Sequence, residues 1–171
     1  MNMTVEKIYF DMDGVLADFD KGVNELCRMR ATSQDEGHDE KYDDLMWEKI
    51  QGISHFYDRL DLMPGAKEMF DLLYEKYGDR CEILTGIPKE SRGIVTASED
   101  KITWTHRMLS ETVKIHTVSR RDKQQYCTGP ETILIDDRDD TIREWRDLGG
   151  TAILHANPEQ TMAELKQLGV L

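Results

Sequence analysis

Long apolar runs are missing from this sequence. Nothing in its 171 residues approaches the roughly 18 consecutive apolar positions that a membrane-spanning helix needs. A basic segment followed by an apolar one is also missing at the start, so no secretory signal is expected. Cysteine is scarce. Cys27, Cys81 and Cys127 are odd in number, far apart and without a CxxC pair, which argues against a disulfide framework or a thiolate zinc site. Reduced thiols in the cytoplasm are the expectation. Positive charge is short: 22 Lys and Arg face 34 Asp and Glu, a formal net charge of −12. Such a chain repels nucleic acid polymers and anionic membranes. An anionic substrate would need local neutralisation by a divalent cation and a few placed Lys or Arg. No repeat, low-complexity tract or Pro/Gly/Ser linker divides the chain, so one domain with at most a small insert is expected.

What is present is an alternation of short apolar runs and amphipathic stretches. Val5 to Phe10 is partly β-branched and aromatic and reads as a buried strand. Cys81 to Leu84, Val113 to Val118, Thr132 to Ile135 and Thr151 to Leu154 read as four more. Helices are expected from Pro64-Gly65-Ala66 to Gly78, from a Ser98 N-cap to about Leu109, over Thr141–Leu148, and after the Asn157-Pro158 start. Strands alternating with helices imply an α/β fold, a Rossmann-like three-layer core around a parallel sheet. Residues 20–63 break the alternation. They carry helical spacing near Asp20–Met29 and Asp43–Ile50, a polar loop over 31–40, and Ser54 poised to cap a turn bearing Phe56 and Tyr57. They read as a small helical cap inserted after the first strand, with 1–19 and 64–171 forming the core.

In a parallel α/β sheet, ligands sit outside the carboxyl ends of the strands. Four of those ends are polar here. The first carries Asp11-Met12-Asp13-Gly14, the second Thr85-Gly86. The third is followed by Arg120-Arg121-Asp122-Lys123, and the fourth carries Asp136-Asp137. Brought to one edge, these carboxylates would repel one another without a metal. Hard oxygen donors select Mg²⁺. One carboxylate can attack phosphorus, and a second, two residues on, can move a proton. A lysine and a divalent ion can neutralise charge developing on the phosphoryl oxygens. Each residue also has a plainer reading: a capping or solvated role for the acids and Thr85, a solvated helix start for Lys123, with Arg120 and Arg121 as rival cations.

These four segments, Asp11-x-Asp13-Gly14-Val15-Leu16, Leu84-Thr85-Gly86, Lys123 and Ile135-Asp136-Asp137, resemble in order the four motifs of the haloacid dehalogenase (HAD) superfamily. The wording Asp11-Met-Asp-Gly-Val-Leu-Ala-Asp-Phe19, Arg121-Asp122-Lys123, Leu134-Ile-Asp-Asp-Arg138 and Pro64-Gly65-Ala66 resembles its 5'(3')-deoxyribonucleotidase family. The resemblance implies a Mg²⁺-dependent phosphatase with Asp11 as nucleophile and Asp13 as general acid/base. It implies Thr85 and the Gly86 amide as the phosphate-positioning pair, and Lys123 as the lysine on nucleophile and phosphate. Asp11, the Asp13 carbonyl and Asp137 are implied as metal ligands, with Asp136 in or near the site. Phe19 matches a pocket aromatic and Arg121 a substrate-contacting arginine. The implied partner is a small phosphorylated substrate, a deoxyribonucleoside monophosphate. A sugar phosphate remains a same-chemistry alternative, and a non-catalytic module binding a phosphorylated ligand an alternative of another class.

The resemblance lapses over most of residues 28–55. The family carries an aromatic pair around the base there, whereas residues 30–42 are polar with only Tyr42 aromatic. Phe19 reads equally as cap core or substrate wall, whereas Trp47, Phe56 and Tyr57 read first as cap core. Trp104 and Trp145 read as core. Lys89 and Asp140 read as surface and helix-start charges. His38, His55, His106, His116 and His155 show no ligand spacing and are assigned no role. The oligomeric state is not legible.

Overall fold

The computed structural model describes residues 2–34 and 39–171. His38, and with it the middle of the polar loop, lies outside the described residues. Five parallel strands form one sheet: β1 (Lys7–Phe10), β2 (Cys81–Ile87), β3 (Lys114–Ser119), β4 (Thr132–Asp136) and β5 (Thr151–Leu154), in the order β3-β2-β1-β4-β5. β1 is the middle strand, paired with β2 on one edge and β4 on the other. Phe10 stands opposite Ile83 on one side and Ile135 on the other.

Period-two alternation sends β1 side chains to two separate cores. Ile8 and Phe10 enter the larger one, with Met69 and Phe70 of α3 (Ala66–Tyr77), Trp104 of α4 (Ala97–Met108) and Leu165 of α6 (Pro158–Gln167). Tyr9 enters the smaller one, with Leu84, Leu134, and Ile142 and Trp145 of α5 (Asp139–Asp147). Helices therefore cover both faces of the sheet. Both expected core tryptophans are fully packed, and each satisfies its indole N–H on a carbonyl. Trp104 Nε1 donates to Leu60 O at 2.8 Å and Trp145 Nε1 to Thr132 O at 3.1 Å. Losing either ring to alanine would cost about 3–5 kcal/mol.

Between β1 and α3 the described residues contain helices and no strand. α1 (Phe19–Cys27) starts on Asp18, whose Oδ1 accepts from Lys21 N at 3.2 Å, and α2 (Glu40–Gln51) starts on Asp39 in the same way. A 3₁₀ turn follows at Phe56–Arg59. Its N-cap is His55, in the left-handed region at φ 53°, so Ser54 does not start it. The chain leaves and rejoins the sheet at one place. Ala17 bridges Leu62 antiparallel, and Met63 N donates to Leu16 O at 2.8 Å.

Two other local expectations shift. Ser98 does not cap α4. The helix starts after Thr96, and Ser98 Oγ pairs with Thr117 Oγ1 at 2.6 Å, tying α4 to β3. β2 runs past Thr85-Gly86 to Ile87, because the third strand pairs with it through Ile87 opposite Ser119.

Candidate active site

Parallel pairing puts every strand's carboxyl end at the same edge. Asp11 follows β1 directly, and its N–H donates to Ile135 O at 2.9 Å, so Asp11 stays in line with the strand. A tight loop comes next, in which Gly14 N donates to Ala17 O at 2.9 Å. Gly14 is required twice over. Its φ is +82°, and a Cβ there would lie 2.1 Å from Asp137 Oδ2. The glycine after the first acid pair thus makes room for the carboxylate after β4.

Lys123 reaches this edge from the 3₁₀ segment Arg120–Tyr126. It is 2 % exposed, and its ammonium donates to Asp11 Oδ1 at 2.9 Å and to Asp136 Oδ2 at 2.8 Å. Arg120 and Arg121 are exposed, so the 3₁₀ turn presents only one of the three rival cations to the acids. Burial alone would lower the Lys123 pKa, but the Asp11 and Asp136 carboxylates outweigh it and hold the lysine charged, above its ordinary range.

Asp136 and Asp137 divide into two situations. Asp136 is fully buried and already engaged, since Lys123 holds Oδ2 and Arg138 N–H donates to Oδ1 at 3.0 Å. Asp137 is exposed at the rim. Carboxylate oxygens of Asp11, Asp136 and Asp137 lie within 4.8 Å of one another. The Asp137 pKa is pushed up to about 9, first by desolvation in the crowded edge and then by the Asp11 and Asp136 charges. Since Asp137 is open to solvent on its outer side, repulsion is the sturdier of these causes. Three hard oxygen donors this close, with one lysine between two of them, fit a divalent cation such as Mg²⁺.

The second acid pairs with a residue that sequence reasoning did not single out. Lys101, on α4, is 0 % exposed. Its ammonium donates to Asp13 Oδ2 at 2.9 Å, Thr85 Oγ1 at 2.9 Å and Gly86 O at 2.8 Å. The Tyr57 ring covers it, 4.5 Å from centroid to Nζ. Among the described residues Asp13 Oδ1 is buried without a partner. Burial raises the Asp13 pKa; Lys101 opposes this and Asp11 adds to it. The missed signal is positional: Lys101 sits on the buried face of α4 with Ala97, Trp104 and Thr105.

Gly86 packs against Arg120, where a Cβ would come within 3.2 Å of the arginine's Cβ. Phe19, at the start of α1, meets Trp47 at 5.9 Å, Phe56 at 5.7 Å and Tyr57 at 6.3 Å between ring centroids. Arg121 and Lys89 stand exposed at the surface, and Asp140 pairs with Arg138 and caps Thr141 N–H at 2.8 Å. His155, given no role from sequence, lies 5 % exposed beneath the edge. Its N–H donates to Asp136 O at 2.8 Å and its Nδ1 pairs with Thr161 Oγ1 at 2.6 Å. Burial lowers its pKa to about 4, so the imidazole is neutral at pH 7. His55 pairs with Asp100 at 2.8 Å, joining the helical segment to α4.

No family model and no curated protein matches the sequence. Its fold does match solved structures. A HAD family hydrolase from Deinococcus radiodurans R1, with bound phosphate and sodium, aligns at TM-score 0.59 and 12% identity over 99% of this chain and 99% of that one. A HAD-superfamily hydrolase from Ehrlichia chaffeensis aligns at TM-score 0.58 and 14% identity, covering 98% and 99%. The L-2-haloacid dehalogenase of Xanthobacter autotrophicus aligns at TM-score 0.54 and 12% identity, covering 98% and 85%. The strand order, the crossing helices and the overall superposition give this chain the fold of the HAD-superfamily hydrolases.

Proposed function

We propose that this chain is a Mg²⁺-dependent phosphomonoester hydrolase of the HAD superfamily, acting on deoxyribonucleoside monophosphates as a 5'(3')-deoxyribonucleotidase. The observation that carries the reading is the pairing at the sheet edge. Asp11 is held by Lys123 within reach of Asp136 and Asp137, while Asp13 and Thr85 are held side by side by Lys101. A phosphate-binding relative of this fold supports it.

Asp11 is the nucleophile. One of its carboxylate oxygens bonds to phosphorus as the ester P–O bond breaks, and Asp13 gives its proton to the departing oxygen. Water then attacks the aspartyl-phosphate and passes a proton to Asp13, and the Asp11–phosphorus bond breaks to release phosphate. Thr85 and the Gly86 amide orient the phosphoryl oxygens. Lys123 holds Asp11 against rotation and places a positive charge beside the reacting group. Asp11, the Asp13 carbonyl and Asp137 would hold the metal, and Asp136, already bonded to Lys123 and Arg138 N–H, orients the lysine. When bound, Mg²⁺ supplies charge neutralisation on the phosphoryl oxygens.

Residues 20–63 act as a small cap that leaves and rejoins the core where Ala17 and Leu62 pair, and Phe19, packed on Trp47 of the cap, offers an aromatic wall to the substrate. Arg121 is the exposed cation nearest Lys123 in the chain and serves an anionic substrate at the rim. The three free thiols suit a cytoplasmic protein. No helix among the described residues is long and apolar enough to cross a membrane.

The test is phosphate release from a panel of deoxyribonucleotides and sugar phosphates, with Mg²⁺ and with chelator. Release from deoxyribonucleotides only with Mg²⁺ is expected. Release only from sugar phosphates sinks the nucleotide reading, and binding of phosphate without turnover of any ester favours the non-catalytic module.

A further inference from the structure

We propose that Lys101 is the positioning residue of the acid/base step: it immobilises the Asp13 carboxyl beside Thr85. This rests on the phosphatase reading above. A lysine ammonium has three donors and no acceptor. All three are committed here, to Asp13 Oδ2, Thr85 Oγ1 and Gly86 O at 2.8–2.9 Å. The fourth side is closed by the Tyr57 ring at 4.5 Å, a cation–π contact. Lys101 therefore has no donor left for a substrate. Its action is through Asp13 and Thr85.

The two Asp13 oxygens are made unequal by this contact. Oδ2 is bonded to the ammonium, whereas Oδ1 is buried with no partner among the described residues. A buried carboxylate oxygen without a donor is costly. In the first half-reaction Asp11 bonds to phosphorus and the Asp13 carboxyl proton goes to the leaving oxygen as the phosphorus–ester bond breaks. In the second, water's proton returns to the Asp13 carboxylate as the new P–O bond forms and the Asp11–phosphorus bond breaks. Thr85 is fixed by the same ammonium. Its Oγ1 accepts from Lys101, so its own O–H is left to donate to a phosphoryl oxygen.

Stability alone does not call for a lysine on this face. α4 buries Ala97, Asp100, Trp104 and Thr105 beside it; Asp100 is paired with His55 and Thr96 and not with Lys101, and a buried ion pair adds little net stability over an apolar side chain of like volume. Tyr57 belongs to the helical segment, so the cap packs on the residue that orients the acid.

The experiment compares first-turnover release of the leaving group from two esters in wild type, Lys101→Met and Lys101→Gln, each checked for a cooperative melt. Deoxyuridine 5'-phosphate, or glycerol 3-phosphate if the nucleotide is not a substrate, has an alcohol that must be protonated as it leaves. p-Nitrophenyl phosphate has a leaving group stable as the anion. Misplacing a general acid costs about 100-fold where the proton is needed and little where it is not. Both variants are expected to lose about 100-fold on the alkyl ester. The p-nitrophenolate burst is expected to stay within about fivefold, followed by slow steady turnover as water activation fails. Equal loss on both esters, or loss on neither, overturns the positioning role while the phosphatase reading stands. A wild-type protein that turns over neither ester overturns that reading and this proposal with it.

Discussion

Lys123 and Asp136 meet at 2.8 Å in a site from which solvent is nearly excluded, although one comes from an exposed 3₁₀ turn and the other from the end of β4. The same ammonium reaches Asp11, so one cation faces two buried carboxylates. Lys123→Met removes that cation and leaves both acids without it. Breaking a buried pair in this way costs about 3–5 kcal/mol. A loss of about 3 kcal/mol in urea unfolding at pH 7 is expected, since the acids can take up a proton in part compensation. Phosphate release should be lost as well. A variant as stable as the wild type would show that the acids are neutralised by something other than Lys123.

Asp11→Asn keeps the shape of the side chain and removes both the proposed nucleophile and one negative charge. Turnover should fall by about 10³-fold or more, the range seen when a nucleophile is deleted. The melting temperature should hold or rise, because Asp11 raises the pKa of Asp13, Asp136 and Asp137 by repulsion. Near-normal phosphate release from Asp11→Asn removes Asp11 from the nucleophile role.

Gly14→Ala tests the loop between the two acid pairs. At φ +82° a Cβ costs about 1–2 kcal/mol, and it would stand 2.1 Å from Asp137 Oδ2. The carboxylate must turn away, so the melting temperature should drop by about 5 °C and Mg²⁺ should stabilise the variant less than the wild type. An unchanged melt with an unchanged Mg²⁺ response would refute the close approach.

The acids of this edge were legible because a parallel sheet carries the end of every strand to one side, whatever the loops do. Asp11, Thr85 and Asp136 needed only strand positions. Choosing Lys123 over Arg120 and Arg121 needed the pitch of a 3₁₀ turn, which the charged run does not state. Lys101 was harder. Its partners are 15, 16 and 88 residues away in sequence, so only the packing of α4 against the sheet edge shows what its ammonium touches. The clue at hand was a lysine at helical spacing from Ala97 and Trp104, the two apolar residues of that helix's buried face. Ser98 failed for a related reason: a serine before a helix can cap it, but here a neighbouring strand offered Thr117. Substrate choice stayed illegible because residues 28–55 carry no pattern that points to a ligand.

On the far side of the sheet, Glu82 is 5 % exposed and accepts from Lys7 Nζ at 2.5 Å and pairs with His116 Nε2 at 2.6 Å. Burial works to raise its pKa, but these two partners prevail and lower it. A depressed carboxylate pKa means the folded state holds the proton less tightly than the unfolded one. Its contribution to stability is therefore present above the ordinary value of 4.5 and lost as the pH falls through the lower folded value. Glu82→Gln should cost about 1–3 kcal/mol in urea unfolding at pH 7. The difference between wild type and variant should narrow below pH 4.5. A gap that stays constant into acid would assign the cost to packing instead.

The metal reading gives a test independent of catalysis. A ligand that binds only the folded protein stabilises it by RT ln(1 + [L]/Kd), about 2.7 kcal/mol at one hundred times Kd. Two carboxylates near the Asp11 group add repulsion that a divalent cation relieves, so Mg²⁺ should raise the melting temperature in proportion to its binding. Asp137 is the exposed member of the cluster, and Asp136 has both oxygens engaged by Lys123 and Arg138 N–H. Asp137→Asn should therefore raise the melting temperature of the metal-free protein slightly, by removing repulsion, and remove most of the Mg²⁺-dependent gain. Asp140→Asn, outside the cluster and paired with Arg138, should leave that gain intact. Thermal melts across a Mg²⁺ series read both effects, with Na⁺ at matched ionic strength as the control for screening. If Asp137→Asn kept the full Mg²⁺ gain, the ion would have to be held by Asp11 and Asp13 without it, and Asp137 would be left as a rim charge that Gly14 merely accommodates.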